Sequence, residues 1–177
     1  PQGNPRPSDF HMDEAPMPEA GTGEILLRTL WLAVDPLLRF ALDEKPLSGV
    51  THFRPGDVLA GPSVCEVIAS NHADYAPGDI VEGRTEWAEY AIVDPANCGY
   101  RGPPRTLDPA LAPVQTALGA LGMPGQTAYC GVVDTARVKA GETVVISAAA
   151  GTVGSLAGQI AKIHGARVVG IAGGAEK

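Results

Sequence analysis

A glycine-containing segment in the second half of the chain has residue types and spacing suited to binding a dinucleotide pyrophosphate. A β-branched run at 143–149 precedes it, and a second apolar run at 167–172 follows. Gly151 and Gly154 match the second and third glycines of G-x-G-x-x-G, and Ala149 replaces the first. Such glycines let the backbone approach the phosphates, while the amide groups and positive dipole end of the next helix face them.

The elements around these glycines are predicted in the order strand, turn, helix, strand. The helix is expected to run to about His164 and to end at Gly165, and Gly158 would allow close packing on the sheet. Both strands are expected to be parallel and buried on both faces. A flexible Ala/Gly linker, or a helix start without a ligand, is the alternative interpretation, but the flanking elements favour a dinucleotide site.

The end of the second predicted strand indicates which dinucleotide would bind. NAD sites place a carboxylate on the ribose about 20 residues after the glycines. Here the strand ends in Ala172, Gly173 and Gly174, and Glu176 comes later beside Lys177. Small residues and a cation would accommodate a 2′-phosphate, so the sequence favours NADP(H).

Composition and charge exclude several classes of partner. The 177 residues carry a formal net charge of −7, which argues against nucleic acid as a partner. Runs without charge are broken by Gly and Pro, so neither a membrane span nor a secretory signal is expected. Cys65, Cys98 and Cys130 are too few and too far apart for a disulfide framework or a zinc knuckle. A cytoplasmic protein with reduced thiols is therefore expected.

Two compositional regimes predict an α/β chain with two domains. Residues 1–107 contain short β-like runs with Pro-Gly turns, typical of a barrel-like β domain. Residues 108–177 are rich in Ala, Gly and Val at helical spacing. The strands predicted in the first regime are 24–31, 63–69 and 87–93, with a helical turn at 37–42; the helices predicted in the second are 108–118 and 127–137.

Four stretches resemble one enzyme family, at residues 32–39, 122–129, 148–155 and 168–177. The chain resembles the zinc-free branch of the medium-chain dehydrogenase/reductase superfamily. This branch contains NADP-dependent prostaglandin reductases, leukotriene B4 12-hydroxydehydrogenases, plant double-bond reductases and curcumin-reductase-like enzymes. The resemblance implies a GroES-like β-barrel domain followed by the start of a Rossmann domain, in a chain about half the length of the enzyme.

The implied activity is reduction of the C=C bond of an α,β-unsaturated ketone or aldehyde with NADPH. A small-molecule enone or quinone is thus the expected substrate, and the full-length protein is expected to form a homodimer. The resemblance assigns the phosphate-binding positions to Gly151, Thr152, Val153, Gly154, Ser155 and Lys177. It places Met123 and Thr127 on the nicotinamide side. The substrate-pocket candidates are Asp35, Leu37 and Arg39. It names no catalytic acid within this chain.

Departures from the family pattern keep alternatives open. Leu37 stands where the family often has a tyrosine that lines the substrate pocket, so the identity of the substrate stays open. Zinc-dependent relatives have Gly-His-Glu where this chain has Gly61, Pro62 and Ser63, so no metal site is expected. Asp35 and Arg39 could equally serve as a structural ion pair or turn. A quinone reductase of the same superfamily and a truncated, non-catalytic nucleotide-binding module are the alternative functions.

Overall fold

The computed structural model describes residues 3–43, 52–99 and 102–174. The chain divides into two units, Pro1–Val114 and Gln115–Lys177, and each is described separately. The domain assignment of 1–107 and 108–177 stays a prediction.

The first unit contains a five-stranded antiparallel sheet with the strand order β4-β1-β2-β3-β5. The strands predicted at 24–31 and 63–69 are confirmed as β1 and β2, and the helical turn at 37–42 is confirmed as α1. The predicted strand at 87–93 is shorter, because pairing in β4 begins only at Tyr90. The elements are β1 (Ile25–Leu32), α1 (Leu37–Ala41), β2 (Ala60–Ser70), β3 (Ile80–Glu86), β4 (Tyr90–Val93) and β5 (Arg105–Leu107).

The two Pro-Gly turns have the same local geometry. Gly56 and Gly78 have φ values of +96° and +95°, the conformation that a type II turn requires at its third residue. The carboxylates of Asp57 and Asp79 each accept a hydrogen bond from the amide three residues earlier, at 2.7 and 2.8 Å. These turns are confirmed.

The core of the first unit lies between the inward faces of its strands. Alternation along each strand places one apolar set inward. Its buried members are Ile25, Leu27, Cys65, Val67, Val81 and Val93, and Tyr75 from the segment between β2 and β3 packs with them.

The second unit contains a two-stranded parallel sheet joined by a helix, as predicted. Strand β6 (Thr143–Ile146) pairs with β7 (Arg167–Gly170), and helix α3 (Thr152–Ile163) connects them. Helix α2 (Met123–Tyr129) also packs against α3. The expectation that both strand faces are buried is wrong in the described part, where only one face is covered by α3. Val145 is therefore 61% exposed, whereas Val144 packs into the core beneath the helix.

Two helix predictions are corrected by the structure. The predicted helix at 108–118 is a turn capped by Asp108, followed by a 3-10 helix at Val114–Leu118. Pro113 prevents a continuous helix, because it has no amide donor and restricts the residue before it. The helix predicted at 127–137 starts earlier, at Met123, because Pro124 suits a first helical turn; it continues as a π-helical segment, Cys130–Thr135.

Candidate dinucleotide-phosphate site

The turn between β6 and α3 is held in a tight, strained conformation. Ala148 adopts φ +49°, a left-handed conformation that is costly for a residue with a Cβ. Its carbonyl oxygen accepts a hydrogen bond of 2.8 Å from the Gly151 amide. The Ala149 amide donates to the Ile171 carbonyl oxygen at 3.0 Å, which ties the turn to the segment after β7. The backbone in front of α3 is therefore fixed from two sides.

Position 154 requires a glycine because the backbone of the preceding turn lies very close to it. A Cβ placed at Gly154 would lie 2.4 Å from the carbonyl oxygen of Ala148 and 3.0 Å from the Cα of Ala149. At Gly158, by contrast, a Cβ would meet only side-chain atoms of Val168 and Ile146, at the ordinary separations of 3.5 and 3.6 Å. The predicted requirement for glycine therefore has a steric basis at Gly154, whereas the helix–sheet packing at Gly158 leaves room for a methyl group.

The first turn of α3 presents backbone donors without a side-chain cap. Gly151 is the N-cap residue, and the first intrahelical hydrogen bond runs from the Ser155 amide to the Gly151 carbonyl oxygen at 2.8 Å. The amides of Thr152, Val153 and Gly154 precede that bond and have no partner within the helix. The first turn contains no acidic residue, and Thr152 and Val153 are exposed. This arrangement is chemically suited to an anion.

The other nucleotide positions from the sequence are placed as follows. Met123 begins α2 and is 47% exposed. Thr127 is also exposed, and its hydroxyl donates to the Met123 carbonyl oxygen at 2.8 Å. An open groove of about 430 Å³ runs beside α2 and α3 and is lined by residues that include Gly122, Gln126 and Leu156. Lys177 lies outside the described residues.

The candidate substrate residues belong to the first unit, where Asp35 precedes α1 and Leu37 and Arg39 lie within it. The Asp35 carbonyl oxygen accepts from the Leu38 amide at 3.0 Å, which starts the helix. Arg39 forms an ion pair with Asp43 one helical turn later, and its guanidinium donates to the Gly3 carbonyl oxygen at 3.1 Å. Leu37 is 42% exposed. The structure thus gives Arg39 an ion pair with Asp43 and leaves the Leu37 side chain partly exposed.

Sequence reasoning missed Ala148 as a residue that shapes the turn. It assigned the first glycine position to Ala149, but the left-handed residue is the one before it. The signal was weak, because alanine seldom adopts positive φ. For metals, the described part of the chain contains no group of three or more His, Cys, Asp or Glu side chains that could hold an ion. None of its helices is long and apolar enough to cross a membrane.

Comparison with known proteins gives the chain a family. Residues 1–99 match the family model described as the N-terminal domain of oxidoreductase. The chain is 42% identical to the NADPH-dependent curcumin reductase of Escherichia coli (strain K12) over 177 residues, which cover 100% of this chain and 49% of that protein. It is 41% identical to prostaglandin reductase 1 of Sus scrofa, covering 99% of this chain and 50% of that protein.

A solved structure supports the same assignment. The crystal structure of CurA in complex with NADPH from Vibrio vulnificus matches with a TM-score of 0.87 and 39% sequence identity, covering 99% of this chain and 50% of that chain. The chain thus spans about half the length of the relatives it matches. The fold is that of medium-chain oxidoreductases, with a GroES-like first unit. Since the family model covers more than half of the sequence, the chain belongs to the oxidoreductase family that is defined by this N-terminal domain.

Proposed function

We propose that the chain is part of an NADPH-dependent oxidoreductase that reduces the C=C bond of α,β-unsaturated ketones and aldehydes. The observation that carries the proposal is the fit of Gly154 against Ala148. A side chain at Gly154 would collide with the backbone of the turn. A glycine in that place, followed by uncapped amides, is what a pyrophosphate requires. The similarity to NADPH-dependent reductases supports the same assignment.

The residues of this chain would divide the work as follows. Backbone amides of Gly154 and its neighbours Thr152 and Val153 bind the pyrophosphate, with Gly151 and Ser155 framing them. Met123 and Thr127 lie on the nicotinamide side, and Lys177 binds the 2′-phosphate. When bound, NADPH supplies the hydride for the conjugated double bond. The protein orients the alkene and excludes water.

We assign the small-molecule substrate to the neighbourhood of Asp35, Leu37 and Arg39. Leu37 offers an exposed apolar side chain, which suits the hydrocarbon part of an enone. Arg39 holds the shape of α1 through its ion pair with Asp43. Homodimer formation and a cytoplasmic location remain expectations from the sequence.

The test is an assay of NADPH oxidation with 3-nonen-2-one, using this chain and any longer protein that contains it. We expect the saturated ketone as the product and a lower rate with NADH than with NADPH. A benzoquinone arm tests the quinone-reductase alternative, which predicts faster oxidation with the quinone than with the enone. NADPH binding without turnover of a panel of enones and quinones would support the non-catalytic module instead.

A further inference from the structure

Ala149 stands at the position where the dinucleotide motif has its first glycine, so this turn carries a methyl group that the motif usually lacks. It lies between β6 and α3 and is partly buried. The first glycine of the motif allows the chain to turn tightly after the strand. An alanine at this position therefore needs room for its Cβ from the residues around it.

Gly170, the last residue of β7, leaves this room. A Cβ placed at Gly170 would lie 2.8 Å from the Cβ of Ala149, well below the separation of about 3.5–4.0 Å at which carbon atoms pack. Apart from the two chain neighbours of Gly170, no other atom of the described residues lies within 4 Å of that point. The φ of Gly170 is not positive, so glycine is not needed there for the backbone conformation. The need for glycine at this residue is therefore steric and comes from Ala149.

The Cβ of Ala149 cannot move aside unless the backbone of the turn moves with it, because no side-chain rotation displaces a Cβ. The Ala149 amide donates to the Ile171 carbonyl oxygen at 3.0 Å, and the Ile171 amide donates to the Ile146 carbonyl oxygen at 2.8 Å. These two hydrogen bonds tie the turn and the end of β6 to the residue directly after Gly170. A methyl group at residue 170 would therefore push on the turn against its own hydrogen bonds.

Ala149 is also in close contact with the segment that faces the phosphates in the proposed site. Its Cα would be 3.0 Å from a Cβ at Gly154, in the first turn of α3. The residue before it, Ala148, accepts a hydrogen bond from the Gly151 amide at 2.8 Å. A shift of Ala149 would therefore change the positions of the backbone amides at the start of α3.

We propose that Gly170 is a positioning residue for the dinucleotide-phosphate site, because it makes the room in which Ala149 occupies the first glycine position of the motif. The glycine that the motif usually has within the turn is replaced here by a glycine on the neighbouring strand. Gly170 acts on the phosphate-facing amides through Ala149. The inference rests on the proposed function for the identity of the ligand as NADPH, and it adds a steric coupling between residues 149 and 170.

The experiment measures the effect of Gly170→Ala on NADPH affinity in two backgrounds, the wild-type chain and Ala149→Gly. NADPH is titrated into each full 177-residue chain and followed by the fluorescence of the nucleotide. In the wild-type background we expect Gly170→Ala to weaken binding about five- to tenfold, because the two methyl groups collide. In the Ala149→Gly background only one methyl group is present at the contact, so the same substitution should change the affinity by less than about twofold.

A control variant and a spectroscopic readout separate positioning from a general loss of stability. Gly131→Ala adds the same methyl group in the second unit where, outside its own helix, no atom of the described residues lies within 4 Å. It should leave the NADPH affinity unchanged. In amide NMR spectra without nucleotide, we expect the signals of Thr152, Val153 and Gly154 to shift in Gly170→Ala. They should return toward their wild-type positions in the double variant.

The outcomes separate this inference from the proposed function. Unchanged NADPH affinity in Gly170→Ala, or the same weakening in both backgrounds, would overturn the role of Gly170 and leave the nucleotide site intact. If Gly170→Ala alone does not fold, the double variant must restore both folding and NADPH binding, and its failure to do so would also overturn the inference. Absence of NADPH binding by the folded wild-type chain would contradict the proposed function, and the inference with it.

Discussion

Gly154 sits against the carbonyl oxygen of Ala148 so closely that a Cβ on the glycine would be 2.4 Å from that oxygen. The contact joins the first turn of α3 to the strained residue of the preceding turn. The neighbours of Gly154 are backbone atoms, which cannot rotate away. The shape of the candidate phosphate site therefore depends on the absence of a Cβ at Gly154.

Gly154→Ala should destabilise the second unit. The added methyl group must displace the turn or the helix, and such overpacking costs about 1–3 kcal/mol. This cost exceeds the gain in helix propensity, which is about 1 kcal/mol. Urea denaturation followed by circular dichroism measures the change, and a free energy of unfolding equal to that of the wild-type chain would contradict the steric argument.

Gly158→Ala is the matched control in the same helix. Its Cβ would make ordinary contacts with Val168 and Ile146, and alanine is the better helix former. We expect the free energy of unfolding to rise by about 0.5–1 kcal/mol. A loss of stability similar to that of Gly154→Ala would show that helix packing, rather than the turn, limits both positions.

Arg137→Gly should stabilise the chain. Arg137 follows the π-helical segment with φ +51°, a conformation that costs a side-chain-bearing residue about 1–2 kcal/mol. Glycine avoids this cost but loses more entropy on folding, so a net gain of about 0.5–1 kcal/mol is expected. Lys139→Gly serves as the control, because the φ of Lys139 is not positive and the substitution should destabilise. Thermal unfolding that ranks the two variants in the opposite order would refute the prediction.

Cys98 should react slowly with alkylating reagents in the folded chain. Burial, followed by the nearby Asp94 carboxylate, raises the pKa of its thiol, and the thiol donates to the Asp94 carbonyl oxygen. Since the thiolate is the nucleophile, the raised pKa lowers reactivity at a given pH. The midpoint of the iodoacetamide rate against pH, measured by peptide mass spectrometry, should therefore be higher in the folded chain than in urea. Equal midpoints would mean that the environment does not hold this thiol neutral.

The same pKa shift has a consequence for stability. A group whose folded pKa is raised contributes stability that is present below its unfolded pKa and is lost as the pH rises through the folded pKa. The contribution of Cys98 should thus disappear on the alkaline side. Cys98→Ala should flatten this part of the stability–pH curve.

Local sequence patterns predicted the elements that depend on local physics. The Pro-Gly turns at Gly56 and Gly78 and the strand–turn–helix around Gly154 follow from the conformations that glycine and proline allow. The prediction of a helix at 108–118 was wrong because it relied on the N-cap pattern at Asp108. It did not consider that Pro113 interrupts a helix, although this effect is also local. Ala148 was missed because its left-handed conformation is imposed by the hydrogen bonds around the turn. The residue type alone does not indicate those hydrogen bonds.

Long-range features could not be predicted from the sequence. The face of β6 that holds Val145 is exposed because the described sheet has a helix on one side only. Trp87 and Ala33 approach Gly61 from distant parts of the sequence, since a Cβ on Gly61 would lie 2.9 Å from Trp87 Nε1 and 3.5 Å from the Ala33 carbonyl oxygen. Such pairings depend on the tertiary structure and leave no signal in the order of residues.

The most direct test is a titration of NADPH into the wild-type chain, Gly154→Ala and Gly158→Ala, followed by the fluorescence of the nucleotide and by calorimetry. We predict that the wild-type chain and Gly158→Ala bind NADPH with affinities within about twofold of each other. Gly154→Ala, shown to be folded by circular dichroism, should bind at least about tenfold more weakly, a change of 1.4 kcal/mol. Undiminished NADPH binding by Gly154→Ala, or no binding by the folded wild-type chain, would contradict the assignment of this turn as the nucleotide site.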